Sequence, residues 1–241
     1  METQIQVRAG ERPAAPARSI DNDLDNYLNA LAAANATFRG AVDAYVEAGP
    51  NGLCWQHAKR IGDQIRTLDE LQQRLETGVR AQSVPGACFC APADPLTTVS
   101  RLVKEMKRQV TGFAIESGFS VPGRRVPAHL VADFQELADD VCGAVETLVE
   151  SHRPGILWGE QTFPEGDERG VSWYESEADR LSTKLIKSIF DDDTLDIKAR
   201  LSLAQLVEEI DRVADHAEAI DRELQVSVLG GLTSFAVRDS H

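Results

Sequence analysis

Between residues 53 and 79 the apolar side chains Cys54, Ala58, Ile61, Ile65, Leu68, Leu71 and Leu75 recur every three or four positions, with charged and amide residues filling the gaps. That period lines them up along one stripe of an α-helix and would scatter them over both faces of a strand. The same period runs through residues 19–49, 95–116, 128–152, 171–190 and 195–228, and no stretch alternates apolar and polar residues as a half-buried strand would. Six long amphipathic helices are therefore predicted, and the fold class is all-α. Each apolar stripe must be covered by another helix, so the predicted architecture is a helical bundle. Aromatic residues make up only 6% of the chain, which suits cores packed from Ala, Leu, Ile and Val.

The breaks between these segments carry the residues that end helices. Gly49-Pro50-Asn51-Gly52 closes the first, "SVPGACFCAPADP" separates the second from the third, and "SGFSVPGRRVP" divides the chain near its middle. A long Gly- and Pro-rich loop, "RPGILWGEQTFPEGDERG", precedes the fifth helix, and "DDDTLD" leads into the sixth. Residues 1–19 are aperiodic and rich in Pro, Ala and Arg, as expected of a flexible lead-in. The remainder reads as two tandem three-helix units, 20–118 and 119–241. "RLVKEMKRQVTGFAI" overlays "QLVEEIDRVADHAEAI" 104 residues later, and "HAKRIGDQI" lies beside "WYESEADRL" with Asp63 matched to Asp179.

A net charge of −14 on 241 residues excludes nucleic acid as the expected partner, because phosphate-backbone binders carry a basic stripe. No segment has the roughly 20 apolar residues of a membrane span, and the first residues lack the apolar run of a secretory signal, so a cytoplasmic protein is expected, peripheral to a membrane at most. The four cysteines include Cys88 and Cys90 in one loop, but a zinc site needs a second pair and none is present. Trp158 and Trp173 flank the long loop and are expected to act as core anchors.

The acidic residues of the last two helices carry the chemistry. Side chains four apart on a helix share a face, which pairs Glu175 with Asp179 and Asp211 with Asp215. The row Glu175, Asp179, Ser182, Ile186, Phe190 turns from acid to apolar, and Ala204, Val207, Asp211, Asp215, Glu218 turns the other way. In an antiparallel pair of helices both acidic ends fall at the same end of the bundle. Converging carboxylates repel unless protons or cations compensate, and their oxygens suit a divalent or ferric ion such as Mg²⁺, Mn²⁺, Zn²⁺ or iron. The competing reading is a solvated edge whose acids pair with Arg180, Arg212 or Lys184. In the first unit the alignment puts Lys59, Asp63, Lys107 and Thr111 at these positions, so a single metal site per chain is expected, in the second unit.

"DRVADHAEAI" (211–220) resembles the E-R-[IV]-[AG]-D-H-x-x-N-I helix of PhoU proteins, and "YESEADRL" (174–181) resembles the E-x-E-A-D-x-[IL] helix of the wider PhoU-like family. The resemblance spans residues 20–225 and implies a six-helix, two-repeat regulator of phosphate uptake with E-x-x-x-D pairs that bind metal. Its implied partners are a phosphate transporter, either a Pit-type permease or a phosphate ABC transporter, or a sensor kinase, with homo-oligomers possible. Glu175, Asp179 and Asp215 match the pattern, whereas Asp211 stands where glutamate is usual and Ala219 where asparagine is. "FQELADDV" resembles a further helix of the family, which would bring in Asp139, and His216 lies beside the motif.

The five histidines have neither metalloprotease nor ferritin-like spacing, and no phosphate loop, nucleophile elbow or dinucleotide fingerprint occurs. A non-enzymatic role is expected. The alternatives are a metal-dependent enzyme, a metal-storage bundle, or a purely structural helical module.

Overall fold

The computed structural model describes residues 18–82, 93–118, 125–153 and 169–236, and within them every regular element is helical. The helices are α1 (Arg18–Ala48), α2 (Gly52–Gln82), α3 (Ala93–Ser117), α4 (Val131–Ser151), α5 (Val171–Asp191) and α6 (Ile197–Ala236). The chain is all-α, as its periodicity requires. The lead-in up to residue 17, the Cys88/Cys90 loop and Trp158 lie outside the described residues.

Local chemistry sets several boundaries. Gly49, the one glycine among the described residues with a positive φ (68°), follows α1 and donates its N–H to the Tyr45 carbonyl at 2.7 Å, a left-handed C-terminal stop that glycine adopts without a Cβ clash. The Asn51 carboxamide accepts from the Leu53 N–H at 2.8 Å, and the Asp196 carboxylate accepts from the Ala199 N–H at 2.7 Å. These side chains cap the open N–H groups that begin α2 and α6. α4 begins three residues later than periodicity suggests, because Leu130 donates to the Pro127 carbonyl in a separate turn.

Helices α1, α2 and α3 all touch one another, as do α4, α5 and α6, and α1–α4 and α3–α6 join the two groups. One core runs through both and contains Leu31, Phe38, Tyr45, Met106, Phe113, Phe134, Leu137, Leu185 and Ile210. The stacked rings of Tyr45 and Phe113, 4.1 Å between centroids, tie α1 to α3. Cross-helix contacts fix the directions of the helices. Arg153 reaches Asp25 (2.8 Å) and Thr98 reaches Glu223 (3.0 Å) at one end of the bundle. At the other end Tyr45 bonds Glu116 (2.6 Å), Gln135 bonds Glu47 (2.9 Å) and His129 faces Asp192 (3.2 Å). The α1–α2 turn, the C-terminus of α3, the start of α4 and the α5–α6 turn therefore share this second end.

Burial keeps step between α3 and α6 at the 104-residue offset: Leu102, Val103, Met106, Val110, Phe113 and Ala114 are buried, as are Leu206, Val207, Ile210, Ala214, Ala217 and Glu218. A second correspondence concerns two helical glycines. A Cβ on Gly40 of α1 would lie 3.3 Å from the His57 ring of α2, and a Cβ on Gly143 of α4 would lie 2.6 Å from the Tyr174 ring of α5. The same close approach is thus made twice, 103 residues apart on the first helix and 117 apart on the second. We propose on these correspondences that α1–α3 and α4–α6 are two copies of one three-helix unit, as the division 20–118 and 119–241 supposes.

On this proposal the glycine contacts favour a different register for α2 from the one the matching letters suggest. With His57 equivalent to Tyr174, the residues that stand for Glu175 and Asp179 are Ala58 and Gly62, not Lys59 and Asp63. Burial agrees, since Cys54, Ile61, Ile65 and Leu68 match Val171, Ala178, Ser182 and Leu185, all buried. Asp63 is exposed and forms an ion pair with Arg66 of its own helix.

Candidate metal centre

The short turn between α5 and α6 makes these helices antiparallel, so the N-terminal half of α5 lies beside the C-terminal part of α6. α5 buries Val171, Ala178, Leu181, Leu185 and Ile189. This phase leaves Glu175 and Asp179 on the flank that meets α6. On α6 the buried positions Val207, Ile210, Val213, Ala214 and Ala217 leave Asp211 and Asp215 facing α5. Carboxylate oxygens of Glu175, Asp179 and Asp215 converge, one from each, within 4.8 Å of one another. Three of the four sequence-derived ligands, Glu175, Asp179 and Asp215, form this set.

Asp211 is outside the trio but adjoins it. It is half-buried, and burial first, then the charges of Asp179, Asp215 and Glu175, push its carboxyl up to about 6 despite a hydrogen bond with the Ser182 side chain. The same causes raise Glu175, through burial and then Glu218 and Asp179, and raise Asp215, through burial and then Asp179. A shared upward shift across acids on two helices marks a place where negative charge is crowded beyond what water relieves.

Two further features complete the surroundings. Glu218, one turn beyond Asp215 and 7% exposed, accepts from the Ser172 hydroxyl at 3.0 Å and from Arg222 at 2.5 Å. Ser182 is buried and donates to the Asp179 carbonyl at 3.0 Å. Ser172 escaped the sequence reading because a lone serine on a helix carries no signal, whereas Ser182 was visible there as the next member of the Glu175–Asp179 row. Glu218 was visible there as the next member of the Asp211–Asp215 row.

The cations assigned to these acids in the solvated-edge reading pair elsewhere. Arg180 bonds Glu177 (2.7 Å), Arg212 approaches Glu105 (3.5 Å) and Lys184 approaches Asp133 (3.4 Å). Asp139 is not at the site either, because it lies on α4 and pairs with Arg39 of α1. His216 is part-buried and bears on both Asp215 and Glu105 electrostatically without entering the trio. Trp173 is 39% exposed rather than a core anchor, its edge against Tyr174 and Arg169 over its face, because it projects away from the stripe containing Val171 and Ala178. Cys54 and Cys142 are buried free thiols.

The donor set fits a metal of the expected kind. Three carboxylates from two helices, with no ion pair to Lys or Arg among the described residues although the charges of His216 and Arg212 act on Asp215, offer hard oxygen ligands to a divalent or ferric ion. Asp211 and Glu218 flank them with further negative charge.

No sequence model of a known family matches this chain, and no curated protein matches it. Solved structures do. A PhoU-like phosphate regulatory protein from Shewanella oneidensis MR-1 is 16% identical, with a TM-score of 0.61 over 87% of this chain and 99% of that one. A PhoU-like protein from the same organism is also 16% identical, with a TM-score of 0.61 over 91% of this chain and 99% of that one. At this identity the likeness is one of fold. The chain has the all-α bundle fold of PhoU-like proteins.

Proposed function

We propose that this protein is a cytoplasmic, non-enzymatic regulator of phosphate uptake of the PhoU-like type. It carries a carboxylate metal site on α5 and α6 and acts by docking. Its partner in this reading is a phosphate transporter, either a Pit-type permease or a phosphate ABC transporter, or a sensor kinase. The observation that carries the reading is the convergence of Glu175, Asp179 and Asp215 on a fold shared with PhoU-like phosphate regulatory proteins. Two aspects of the chain support it. No helix among the described residues is long and apolar enough to cross a membrane, which suits a protein that meets a transporter from outside the bilayer. The acids stand on rigid helices that also form the core, so a bound cation would bridge α5 and α6 and alter the charge of the surface offered to a partner.

The test combines metal and phosphate. Protein purified without chelator should contain iron, zinc, manganese or magnesium by elemental analysis, and Asp179→Asn with Asp215→Asn should remove it. In cells lacking the native protein, the wild type should restore regulated phosphate uptake and the double variant should not. Normal regulation by the metal-free variant would refute the metal as part of the function. Unaltered phosphate uptake in the absence of the protein would refute the regulatory reading itself.

A further inference from the structure

We infer that the outer face of the α5–α6 hairpin is a docking surface for a basic amphipathic segment of a partner protein, with an apolar foot at the hairpin turn and the carboxylate cluster as its anionic head. The inference rests on the reading of this chain as a docking regulator and assigns the surface that docks.

Ile197 and Leu201, four apart at the start of α6, are 64% and 57% exposed, and Phe190 in the last turn of α5 is 38% exposed. The short turn joining the two helices places these three residues at the same end of the hairpin. Large apolar groups at such exposure contribute little to the core and mark contact surfaces when they gather. The same end of the bundle also exposes Leu53, Trp55 and Ile115.

On the two-unit reading Phe190 corresponds to Gln73, which lines a polar groove between α2 and α3 with Asp69, Ser100 and Lys104, so the half-exposed ring at this position is not a demand of helix packing.

Helical phase connects foot and head. Leu201, Glu208 and Asp215 follow one another at seven-residue intervals, and Phe190 lies eleven residues from Asp179, spacings that keep each set close to one line along its helix. Fourteen residues of α6 span about 21 Å. A partner lying along this hairpin meets apolar contact first and carboxylates about 21 Å further on. The complementary segment has apolar residues at one end and Lys or Arg at the other, the composition found where membrane proteins enter the cytoplasm. An anionic bilayer is the wrong partner, because Asp191, Asp193 and Asp196 beside the foot, and the net charge of −14, are repelled by its surface.

The experiment uses the full chain and an 18-residue synthetic helical peptide with Leu and Phe in its first turns and Lys in its last. Controls are a peptide with Glu in place of Lys and vesicles of phosphatidylglycerol. Fluorescence anisotropy should show binding of the Lys peptide that weakens with salt and is absent for the Glu peptide. Ile197→Ser with Leu201→Ser should weaken it at least tenfold while leaving metal content unchanged. Asp179→Asn with Asp215→Asn should weaken it several-fold and abolish the metal. Equal peptide affinity in wild type and the Ile197/Leu201 variant overturns the docking surface, as does flotation of the wild type with the vesicles. A dimer in sedimentation that dissociates in the Ile197/Leu201 variant assigns the foot to a second copy of the chain and overturns it too. Loss of metal without loss of regulation would count against the metal reading alone.

Discussion

Asp179 of α5 and Asp215 of α6, 36 positions apart in the chain, present carboxylate oxygens within 4.8 Å of each other, with Glu175 as the third member of the set. Two like charges held that closely destabilise the metal-free fold and create affinity for a cation.

Asp179→Asn with Asp215→Asn is therefore expected to lower Mn²⁺ or Zn²⁺ affinity at least tenfold by isothermal titration calorimetry. Thermal unfolding of the metal-free variant should occur no lower than that of the wild type, because the substitution relieves repulsion. A marked fall in its melting temperature would mean that these acids hold the fold together.

Asp211 gives a pH signature. Its folded-state carboxyl titrates at about 6 because of burial and then the neighbouring acids, above the roughly 3.9 of an unfolded aspartate. The native state then binds the proton more tightly, and stability falls as pH rises from about 4 to about 6. Asp211→Asn should flatten this part of the stability profile in metal-free protein and be the more stable form at pH 7, by about 1 kcal/mol once solvent screening is allowed for. Urea unfolding at pH 4, 5, 6 and 7 measures it, and parallel profiles for variant and wild type would contradict the assignment.

The close approach of Gly143 to Tyr174 predicts an asymmetric pair of glycine substitutions. A Cβ at Gly143 would lie 2.6 Å from the tyrosine ring, whereas a Cβ at Gly62 meets nothing within 4 Å. Gly143→Ala should cost about 1–3 kcal/mol through overpacking. Gly62→Ala, in the interior of α2, should stabilise by about 0.5–1 kcal/mol from helix propensity alone. Denaturant midpoints that shift in the same direction for both would contradict the packing described.

The two-unit reading can be tested by building the missing site. Ala58→Glu, Gly62→Asp, Lys107→Asp and Thr111→Asp together place on α2 and α3 the acids that α5 and α6 carry. The variant should bind about twice as much metal per chain as the wild type and gain thermal stability when Mn²⁺ is added, because a ligand of the folded state stabilises it by mass action. A folded variant with unchanged metal content would show that the two units are not equivalent. The control Lys59→Glu, Lys107→Asp and Thr111→Asp, in which Asp63 already supplies the remaining acid of the other register, should fail.

The apolar period alone determined the fold class and all six helices, because a helix buries what lies three and four positions apart and that spacing is written in the chain. The acid-to-apolar rows along α5 and α6 were equally legible, and with a short connecting turn they require Glu175, Asp179 and Asp215 to lie toward one end. Tertiary packing decided what lies across from what. One residue on a helix turns a side chain by about 100°, and the matching letters of Asp63 and Asp179 differ by one residue from the register that the glycine contacts favour. The contacts of Gly40 with His57 and of Gly143 with Tyr174 fix the rotation of α2 against α1 and of α5 against α4, and on the two-unit proposal they put Ala58 and Gly62 at the corresponding positions. Rotation likewise sets Asp211 beside the trio rather than in it, and turns Trp173, Ile197 and Leu201 outward. Such rotations depend on how side chains of neighbouring helices interlock, and no local period in the sequence records that.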